Sequence, residues 1–225
     1  MIKKIAIVAA TNQEILPLKA LVKKNKDLLK NVDVQFYVTG VGSMVTCFFL
    51  TNLLLTNKYD FVFQVGIAGS YSKTFTLGTA VVVSKEYLAD VGVLENNIWK
   101  DVFDMGFSKP TIQPFTNKAL VNKYQKAKNI SNHTSAIGIT VNTITTSNAI
   151  KNSFIQKYDA QIESMEGAAL HYVCNKFKIP YLQIRGLSNK VGERNKQKWQ
   201  IQNAIESSNL LAYNLLCQLT NSHNE

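Results

Sequence analysis

The sequence of 225 residues lacks any long hydrophobic run, although 46% of its residues are hydrophobic. Its longest apolar runs, such as Cys47–Leu50, are far shorter than the roughly 20 residues that a membrane-spanning helix needs. A signal peptide is also lacking, because Gln13 and Glu14 follow soon after a short apolar run. These absences predict a cytoplasmic protein that does not associate with a membrane.

Disulfide and metal frameworks are missing as well. The three cysteines are odd in number, widely spaced and set among apolar residues, which predicts buried free thiols. The three histidines form no cluster with the spacing of metal ligands. These residues are Cys47, Cys174, Cys217, His133, His171 and His223. The sequence therefore implies neither a metal nor another cofactor.

Arginine is scarce, since only Arg185 and Arg194 occur in a chain whose formal net charge is +10. The positive charge comes from lysines scattered along the chain, with no arginine-rich stripe and no alternation of basic and aromatic residues. A nucleic-acid interface clusters its basic residues, so this pattern favours a lysine-rich solvated surface. We therefore expect no nucleic-acid partner. The two arginines are rare and close together, which makes them candidates for a site.

Apolar runs typical of buried strands alternate with segments of helical periodicity along the whole chain. Strands are expected at 4–10, 32–38, 60–65, 76–84, 136–142, near 162 and at 181–187. Helices are expected from about 12, at 44–55, near 118–128, at 149–158, from about 164 to 177, and at 199–219. This alternation predicts one α/β domain over residues 1–225, arranged as a three-layer α-β-α sandwich around a twisted, mostly parallel mixed sheet.

Polar and glycine-bearing segments follow several strands, at the sheet edge where α/β proteins bind ligands. Glu14 follows the first strand, in the first turn of a helix that Thr11 or Asn12 caps. Glycine-bearing loops are expected at 39–43 and 66–70, where a backbone can approach a ligand closely. The third glycine of a dinucleotide-binding fingerprint is absent. These segments together predict one pocket at the carboxyl edge of the sheet.

Two carboxylates, Glu163 and Glu166, stand at a strand-to-helix junction over residues 162–169. Burying carboxylates is unfavourable unless a polar group meets them, and a ligand is one such group. The alternative is a helix start, with Ser164 as N-cap and the acids favoured by the helix dipole. The local pattern leaves both interpretations open.

Three motifs in this order resemble the nucleoside phosphorylase/nucleosidase superfamily over almost the whole chain. They are Gly66-Ile-Ala-Gly69, Ser164-Met-Glu-Gly-Ala-Ala169 and Arg185-Gly-Leu-Ser-Asn189. Glu14 after the first strand resembles the hydrolytic branch, which includes methylthioadenosine/S-adenosylhomocysteine nucleosidase. The run from Ser188 to Arg194, with Trp199, resembles the futalosine hydrolase family, which cleaves hypoxanthine from futalosine in the alternative menaquinone pathway.

The resemblance implies roles for individual residues. Glu14 would orient and activate water and repel phosphate, and Glu166 would hold the ribose hydroxyls as the sugar gains positive charge. Arg185 would lie near the water, although an ion pair that holds the carboxylates fits this residue equally well. Further substrate-binding positions are implied at Ala68, Gly69, Met165 and Ser188. Glu163 receives no secure role.

Asn189 is a departure from the adenine-cleaving nucleosidases, which have Asp here to protonate N7 of the base. Asn cannot act as an acid, but its amide can donate a hydrogen bond to O6 or N7 of a 6-oxopurine. Hypoxanthine is therefore the expected base. Arg194 is expected to bind the aromatic carboxylate of futalosine, with a surface charge as the alternative.

The resemblance thus predicts a cofactor-free futalosine hydrolase that forms a homodimer or larger homo-oligomer. A methylthioadenosine/S-adenosylhomocysteine nucleosidase and a purine nucleoside phosphorylase are the alternative enzymes, with Asn189 against the first and Glu14 against the second. A purine-nucleoside binding protein is the alternative outside catalysis, and the pair Glu14 and Glu166 argues against it.

Overall fold

The structure is a computed structural model that describes residues 2–29, 31–96, 98–124 and 133–221. The strands in these ranges are β1 (Lys4–Ala9), β2 (Asp33–Val38), β3 (Phe61–Ser70), β4 (Ala80–Leu88), β5 (Gly92–Glu95), β6 (Ile98–Asp101), β7 (Leu120–Val121), β8 (Ser135–Thr140), β9 (Ile162–Ser164) and β10 (Tyr181–Lys190). The α-helices are α1 (Asn12–Lys24), α2 (Ser43–Thr56), α3 (Asn148–Tyr158), α4 (Gly167–Phe177) and α5 (Ile201–Asn221).

Most strands belong to one mixed sheet in which parallel pairs outnumber antiparallel ones. Parallel pairs join β1 to β2 and β3, β3 to β10, and β8 to β4 and β9. Antiparallel pairs join β10 to β4, β3 to β9 and β4 to β7. The pairings β3–β10–β4–β8–β9–β3 close a circuit, while β5 and β6 form a separate hairpin. The predicted α/β class with a mostly parallel mixed sheet is confirmed, and the finer three-layer description stays a prediction.

The apolar core lies on both faces of β1, as its continuous apolar run predicts. Ile5 and Ile7 join a cluster that packs against α1 and α5, while Ala6 and Val8 join a second cluster that packs against α2 and α4. Alternate side chains of a strand point to opposite faces, so each face of β1 is covered by its own helices. This packing holds the carboxyl ends of β1, β3 and β10 at one edge.

The expected loop at 66–70 is wrong, because these residues continue β3. They pair in parallel with β10, and Gly69 also pairs with Glu163 of β9. Likewise, β10 extends beyond the predicted end at 187 to Lys190. The strand expected at 76–84 lies at Ala80–Leu88, so the polar residues Lys85 and Glu86, which follow the expected end, belong to the strand. Non-local pairing extends these strands through residues whose local pattern resembles a loop.

The helix expected near 118–128 is wrong for its described part, which contains β7. Residues 125–132 lie outside the described residues, as do His223 and the polar tail at 222–225. All three cysteines are free thiols, and only Cys174 is buried, whereas Cys47 and Cys217 are half-buried. None of the helices in the described part of the chain has both the length and the apolar character that crossing a bilayer requires.

Candidate active site

A cavity of about 370 Å³ lies at the carboxyl edge of β1, β3 and β10. Its volume falls in the range of small-molecule sites. The predicted site residues that line it are Glu14, Ala68, Gly69, Met165, Glu166, Ser188, Asn189 and Arg194. Glu163 also lines it, whereas Arg185 lies behind its wall with 1% of its surface exposed. The fold therefore brings together segments that are distant in sequence.

Glu14 is held by the first turn of α1. Its Oε2 atom accepts hydrogen bonds from the backbone N and Oγ1 of Thr11, at 3.0 and 2.9 Å. The Thr11 side chain accepts from the Glu14 backbone N–H in return, which completes the expected capping box. Oε1 accepts a third bond from the backbone N–H of Ile67, at 3.1 Å. The carboxylate is thus fixed between α1 and β3 and faces the cavity.

Glu166 is held by two partners from other elements. Its Oε1 accepts a hydrogen bond from the backbone N–H of Gly42 at 3.1 Å, and its Oε2 lies 3.3 Å from Nη2 of Arg185. The glycine loop at 39–43 was expected to approach a ligand, and in the structure its Gly42 N–H contacts the Glu166 carboxylate. Glu166, and not Ser164, is the N-cap residue of α4, so the alternative helix start at Ser164 is wrong. The Glu166 side chain also lines the cavity.

Arg185 forms an ion pair with one of the cavity carboxylates, Glu166. Besides Glu166, its Nη2 donates to the side-chain oxygen of Gln64 at 2.9 Å. A Cβ atom added to Gly66 would lie 2.4 Å from Arg185 Nη1 and 2.9 Å from Glu14 Oε1. Gly66 thus leaves room for both side chains, which favours the ion-pair interpretation of Arg185 over direct contact with a ligand.

Glu163 binds protein groups. Its Oε2 accepts a short hydrogen bond from the Tyr71 hydroxyl, and its Oε1 accepts one from the backbone N–H of Thr145 at 3.1 Å. Burial and the adjacent Glu163 charge raise the pKa of Tyr71, so the phenol keeps its proton. Glu163 therefore links the loop after β8 to the end of β3 through these two hydrogen bonds. This structural role is the one that the sequence analysis could not assign to Glu163.

Asn189 is presented to the cavity by a bulge in β10. Leu187 pairs with Ala68 and Asn189 pairs with Gly69, so Ser188 is the extra residue that turns the following side chain. Asn189 Oδ1 accepts a hydrogen bond from the Ser188 hydroxyl at 2.8 Å, and Nδ2 donates to the Lys190 carbonyl at 3.0 Å. A carbonyl can only accept, so Lys190 determines which end of the amide is nitrogen.

The outer part of the cavity is aromatic and basic. The Arg194 guanidinium lies over the Trp199 ring, 5.4 Å from its centroid, and Trp199 Nε1 donates to the Glu193 carbonyl at 3.1 Å. This stacking orients an otherwise exposed arginine. A Cβ atom on Gly69 would lie 2.9 Å from Val191 Cγ2, so a larger residue at this position would have to displace the Val191 side chain.

Sequence reasoning missed the buried polar residues behind the cavity. Glu86 lies in β4 after three valines, Gln183 lies between two apolar residues of β10, and both have 0% of their surface exposed. Thr140 is also fully buried. A carboxylate inside a valine-rich strand is the signal that points to Glu86, because such burial is unfavourable without partners. The Gly42 N–H contact with Glu166 carried no sequence signal beyond the glycine itself.

Comparison with known families agrees with this arrangement. A model of the phosphorylase superfamily matches residues 4–219. The chain belongs to this superfamily. The match covers nearly all of the chain and every residue that lines the cavity, which confirms the superfamily that the sequence motifs resemble.

The superfamily relatives include two kinds of nucleosidase. Futalosine hydrolase of Thermus thermophilus is 24% identical over 186 residues, covering 80% of this chain and 79% of that protein. The 5′-methylthioadenosine/S-adenosylhomocysteine nucleosidase of Bacillus velezensis is also 24% identical, over 92% and 96% of the two chains. The native structure of Helicobacter pylori futalosine hydrolase has a TM-score of 0.79 at 17% identity, covering 97% of this chain and 99% of that chain. That structural likeness supports the fold.

Proposed function

We propose that this protein is a futalosine hydrolase. It would cleave the N-glycosidic bond of futalosine with water, releasing hypoxanthine and dehypoxanthine futalosine in the alternative menaquinone biosynthesis pathway. Relatives named as futalosine hydrolases and as methylthioadenosine/S-adenosylhomocysteine nucleosidases support hydrolysis of a nucleoside. Their similar identities do not separate the two substrates, so the choice between them rests on the site.

The observation that carries this choice is the orientation of Asn189. Because Nδ2 donates one hydrogen to the Lys190 carbonyl, its second hydrogen remains for a ligand. Oδ1 lies 2.8 Å from the Ser188 hydroxyl, whose single hydrogen also has the Ala68 carbonyl as an acceptor at 3.2 Å. A 6-oxopurine presents acceptors at O6 and N7, so it matches this donor. Adenine presents an amine at the same edge and leaves readily only when N7 is protonated, which Asn cannot do. The site therefore favours hypoxanthine as the leaving group.

The carboxylates supply the remaining chemistry. Glu166 accepts from the ribose hydroxyls, and these hydrogen bonds strengthen as the sugar becomes oxocarbenium-like. Glu14 orients a water molecule at the anomeric carbon and removes its proton as the bond to the base breaks. The hypoxanthine anion is stabilised by the Asn189 amide. Arg185 keeps Glu166 in place through their ion pair.

Arg194 is proposed to bind the aromatic carboxylate that futalosine carries beyond its 5′ carbon. Its guanidinium is already oriented by Trp199 at the outer part of the cavity. Arg194→Ala should raise KM for futalosine by about tenfold and leave KM for inosine unchanged, because inosine lacks the carboxylate. Lys198→Ala is the matched control, since it removes a nearby exposed charge that pairs with Glu193. Equal KM changes for both substrates would exclude this role for Arg194.

A methylthioadenosine/S-adenosylhomocysteine nucleosidase is the second candidate, favoured by the Bacillus velezensis relative. Mass spectrometry separates the candidates when futalosine, inosine and methylthioadenosine are each incubated with the protein, with and without phosphate. Hypoxanthine released from futalosine without phosphate supports the proposal. Adenine release as the main activity would favour the second candidate, and strict phosphate dependence would indicate a phosphorylase. Binding of nucleosides without turnover would indicate a binding protein.

A homodimer or larger homo-oligomer is proposed from the surface of α2. Exposed apolar side chains recur along it at helical spacing, namely Met44, Val45, Phe48 and Leu55, and the exposed Val41 precedes them in the loop before the helix. A contiguous apolar face of this kind is typical of a protein interface. Light scattering should give at least twice the chain mass of 25.2 kDa, and Phe48→Glu should reduce it to one chain. A monomeric wild-type protein would contradict the proposal.

A further inference from the structure

Glu86 is a buried carboxyl group outside the cavity whose place is prepared by the surrounding backbone. It belongs to β4 and has 0% of its surface exposed. A Cβ atom on Gly138 would lie 2.2 Å from Glu86 Oε2, and one on Gly167 would lie 2.6 Å from Glu86 Cδ. Two glycines from different elements thus leave room for this carboxyl. Because burying it is unfavourable, we expect it to have a purpose beyond packing.

Thr140 connects Glu86 to the first turn of α4. Its hydroxyl donates to Glu86 Oε1 at 2.8 Å and accepts from the backbone N–H of Ala168 at 2.7 Å. The N-terminal N–H groups of a helix need such an acceptor, which the N-cap side chain usually provides. Here the N-cap residue is Glu166, and its side chain makes no capping hydrogen bond. Thr140 therefore takes over capping and leaves the Glu166 carboxylate for the cavity.

The hydroxyl of Thr140 has a single hydrogen, so Glu86 determines its direction. With that hydrogen on Glu86 Oε1, the oxygen lone pairs point towards the Ala168 N–H. Without an acceptor at Glu86, the hydroxyl can rotate and the cap is no longer fixed. Glu86 thus controls the position of the residue two places before Ala168, which is Glu166.

Charge connects the same groups by a second route. Burial raises the pKa of Glu86 to about 7, with the charge of Glu166 acting in the same direction and Thr140 and Arg185 opposing it. Among the described residues, the ion pair of Arg185 is with Glu166. Ionised Glu86 would compete with Glu166 for that single cation. The described titratable groups that interact with Glu86 are Arg185, Glu166 and Tyr181, and His171 shares Gln183 and Arg185 with it.

Gln183 and His171 continue the cluster away from the cavity. Burial lowers the pKa of His171 to about 4, so the ring is neutral, and its Nδ1 lies 2.9 Å from the Leu120 carbonyl and carries the hydrogen. Gln183 influences both Glu86 and His171, although its amide atoms complete no hydrogen bond of good geometry. A Cβ atom on Gly167 would lie 2.4 Å from Gln183 Nε2 and 2.7 Å from Glu86 Oε2, so the amide nitrogen is on the Glu86 side. Turning the amide by 180° would let a protonated Glu86 donate to the Gln183 oxygen and the amide nitrogen donate to His171 Nε2. In that orientation each member of the cluster has a partner.

We propose that Glu86 is a positioning residue, which sets the geometry of Glu166 through Thr140 and the first turn of α4. This role rests on the proposed function, in which Glu166 binds the ribose. Glu86 acts in its protonated form and does not line the cavity.

Four variants test the hydrogen-bonded connection. Thr140→Val keeps the shape and removes the hydroxyl, so kcat/KM for futalosine should fall by at least about tenfold, whereas Thr140→Ser should restore it. Glu86→Ala should act like Thr140→Val. Ser208→Ala is the control, because it removes a fully buried hydroxyl that bonds only within α5. Unchanged kcat/KM in Thr140→Val and Glu86→Ala, with active wild-type protein, would overturn the proposal.

The pH profile separates positioning from simple structural support. In wild-type protein, kcat/KM should decline above pH about 7, where Glu86 ionises. Glu86→Gln keeps an oxygen acceptor for Thr140 and a donor for Gln183, and it cannot ionise. It should therefore restore activity relative to Glu86→Ala and lack this decline. The same decline in wild-type protein and Glu86→Gln would overturn the proposal.

Amide hydrogen exchange tests the same connection without any substrate. Protection of the Ala168 amide should fall in Thr140→Val and Glu86→Ala, and it should persist in Thr140→Ser and Glu86→Gln. If wild-type protein cleaves no purine nucleoside but shows this pattern, the proposed function fails while the connection from Glu86 to α4 stands. Ala168 protection that is equal in all five proteins would overturn the connection itself.

Discussion

Replacing Glu86 by glutamine should make the protein more stable, by an amount that grows with pH. Burial raises the pKa of Glu86 from 4.5 to about 7, so the folded state binds this proton more tightly than the unfolded chain. Stability from the neutral carboxyl is fully present below pH 4.5 and is lost as the pH rises to about 7. Glutamine resembles the protonated carboxyl and never incurs this loss.

The magnitude follows from the two pKa values. At about 1.4 kcal/mol per pH unit, the loss from pH 4.5 to about 7 amounts to about 3 kcal/mol for a fully buried group. The free energy of unfolding of Glu86→Gln should therefore equal that of wild-type protein near pH 4.5. It should exceed the wild-type value by up to about 3 kcal/mol at pH 8. His171 gives the opposite trend between its ordinary pKa of 6.5 and about 4, but it is present in both proteins.

Urea unfolding of both proteins at several values of pH from 4.5 to 8, followed by circular dichroism, measures this difference. Glu206→Gln is the control, since Glu206 is exposed on α5 and its replacement should change stability by less than about 0.5 kcal/mol. A difference between Glu86→Gln and wild-type protein that does not vary with pH would refute the reasoning. Such a result would mean that Glu86 has the same pKa in the folded and unfolded states.

Three further changes test the site. Asn189→Asp places a carboxyl oxygen against the Lys190 carbonyl, and this contact favours the protonated acid. Cleavage of methylthioadenosine, measured by mass spectrometry, should therefore rise at least about tenfold. No rise would contradict the proposed orientation of the Asn189 amide. Glu14→Gln should lower kcat for futalosine about 10²- to 10⁴-fold with KM little changed, and wild-type kcat would exclude Glu14 as the base. Tyr71→Phe removes a hydrogen-bond donor from buried Glu163. The free energy of unfolding, measured by urea unfolding, should fall by about 1–3 kcal/mol. An unchanged value would mean that water replaces the phenol as the donor.

Much of the first helix could be predicted from sequence because its signals are local. Thr11 and Glu14 stand three residues apart at the start of an apolar periodic segment, and the structure contains the capping box they predict. The continuous apolar run before them likewise predicted a strand buried on both faces. These features depend on neighbours in the chain, which a single sequence displays.

Features that depend on distant pairing could not be predicted in the same way. Residues 66–70 have the composition of a loop, yet their pairing with β10 and β9 makes them a strand. The pairing of Arg185 with Glu166 was one of two alternatives from sequence, and the room that Gly66 leaves for it appears only in three dimensions. The Asn189 amide is oriented by the bulge at Ser188, and no local sequence pattern predicts this bulge.

The central claim is that this site is built to release a 6-oxopurine, and one ratio tests it most directly. The kcat/KM for futalosine divided by that for methylthioadenosine is measured in phosphate-free buffer, with hypoxanthine and adenine quantified by liquid chromatography. We expect this ratio to exceed about 100, because the Asn189 amide stabilises a 6-oxopurine and cannot protonate adenine. A ratio below one would contradict the account.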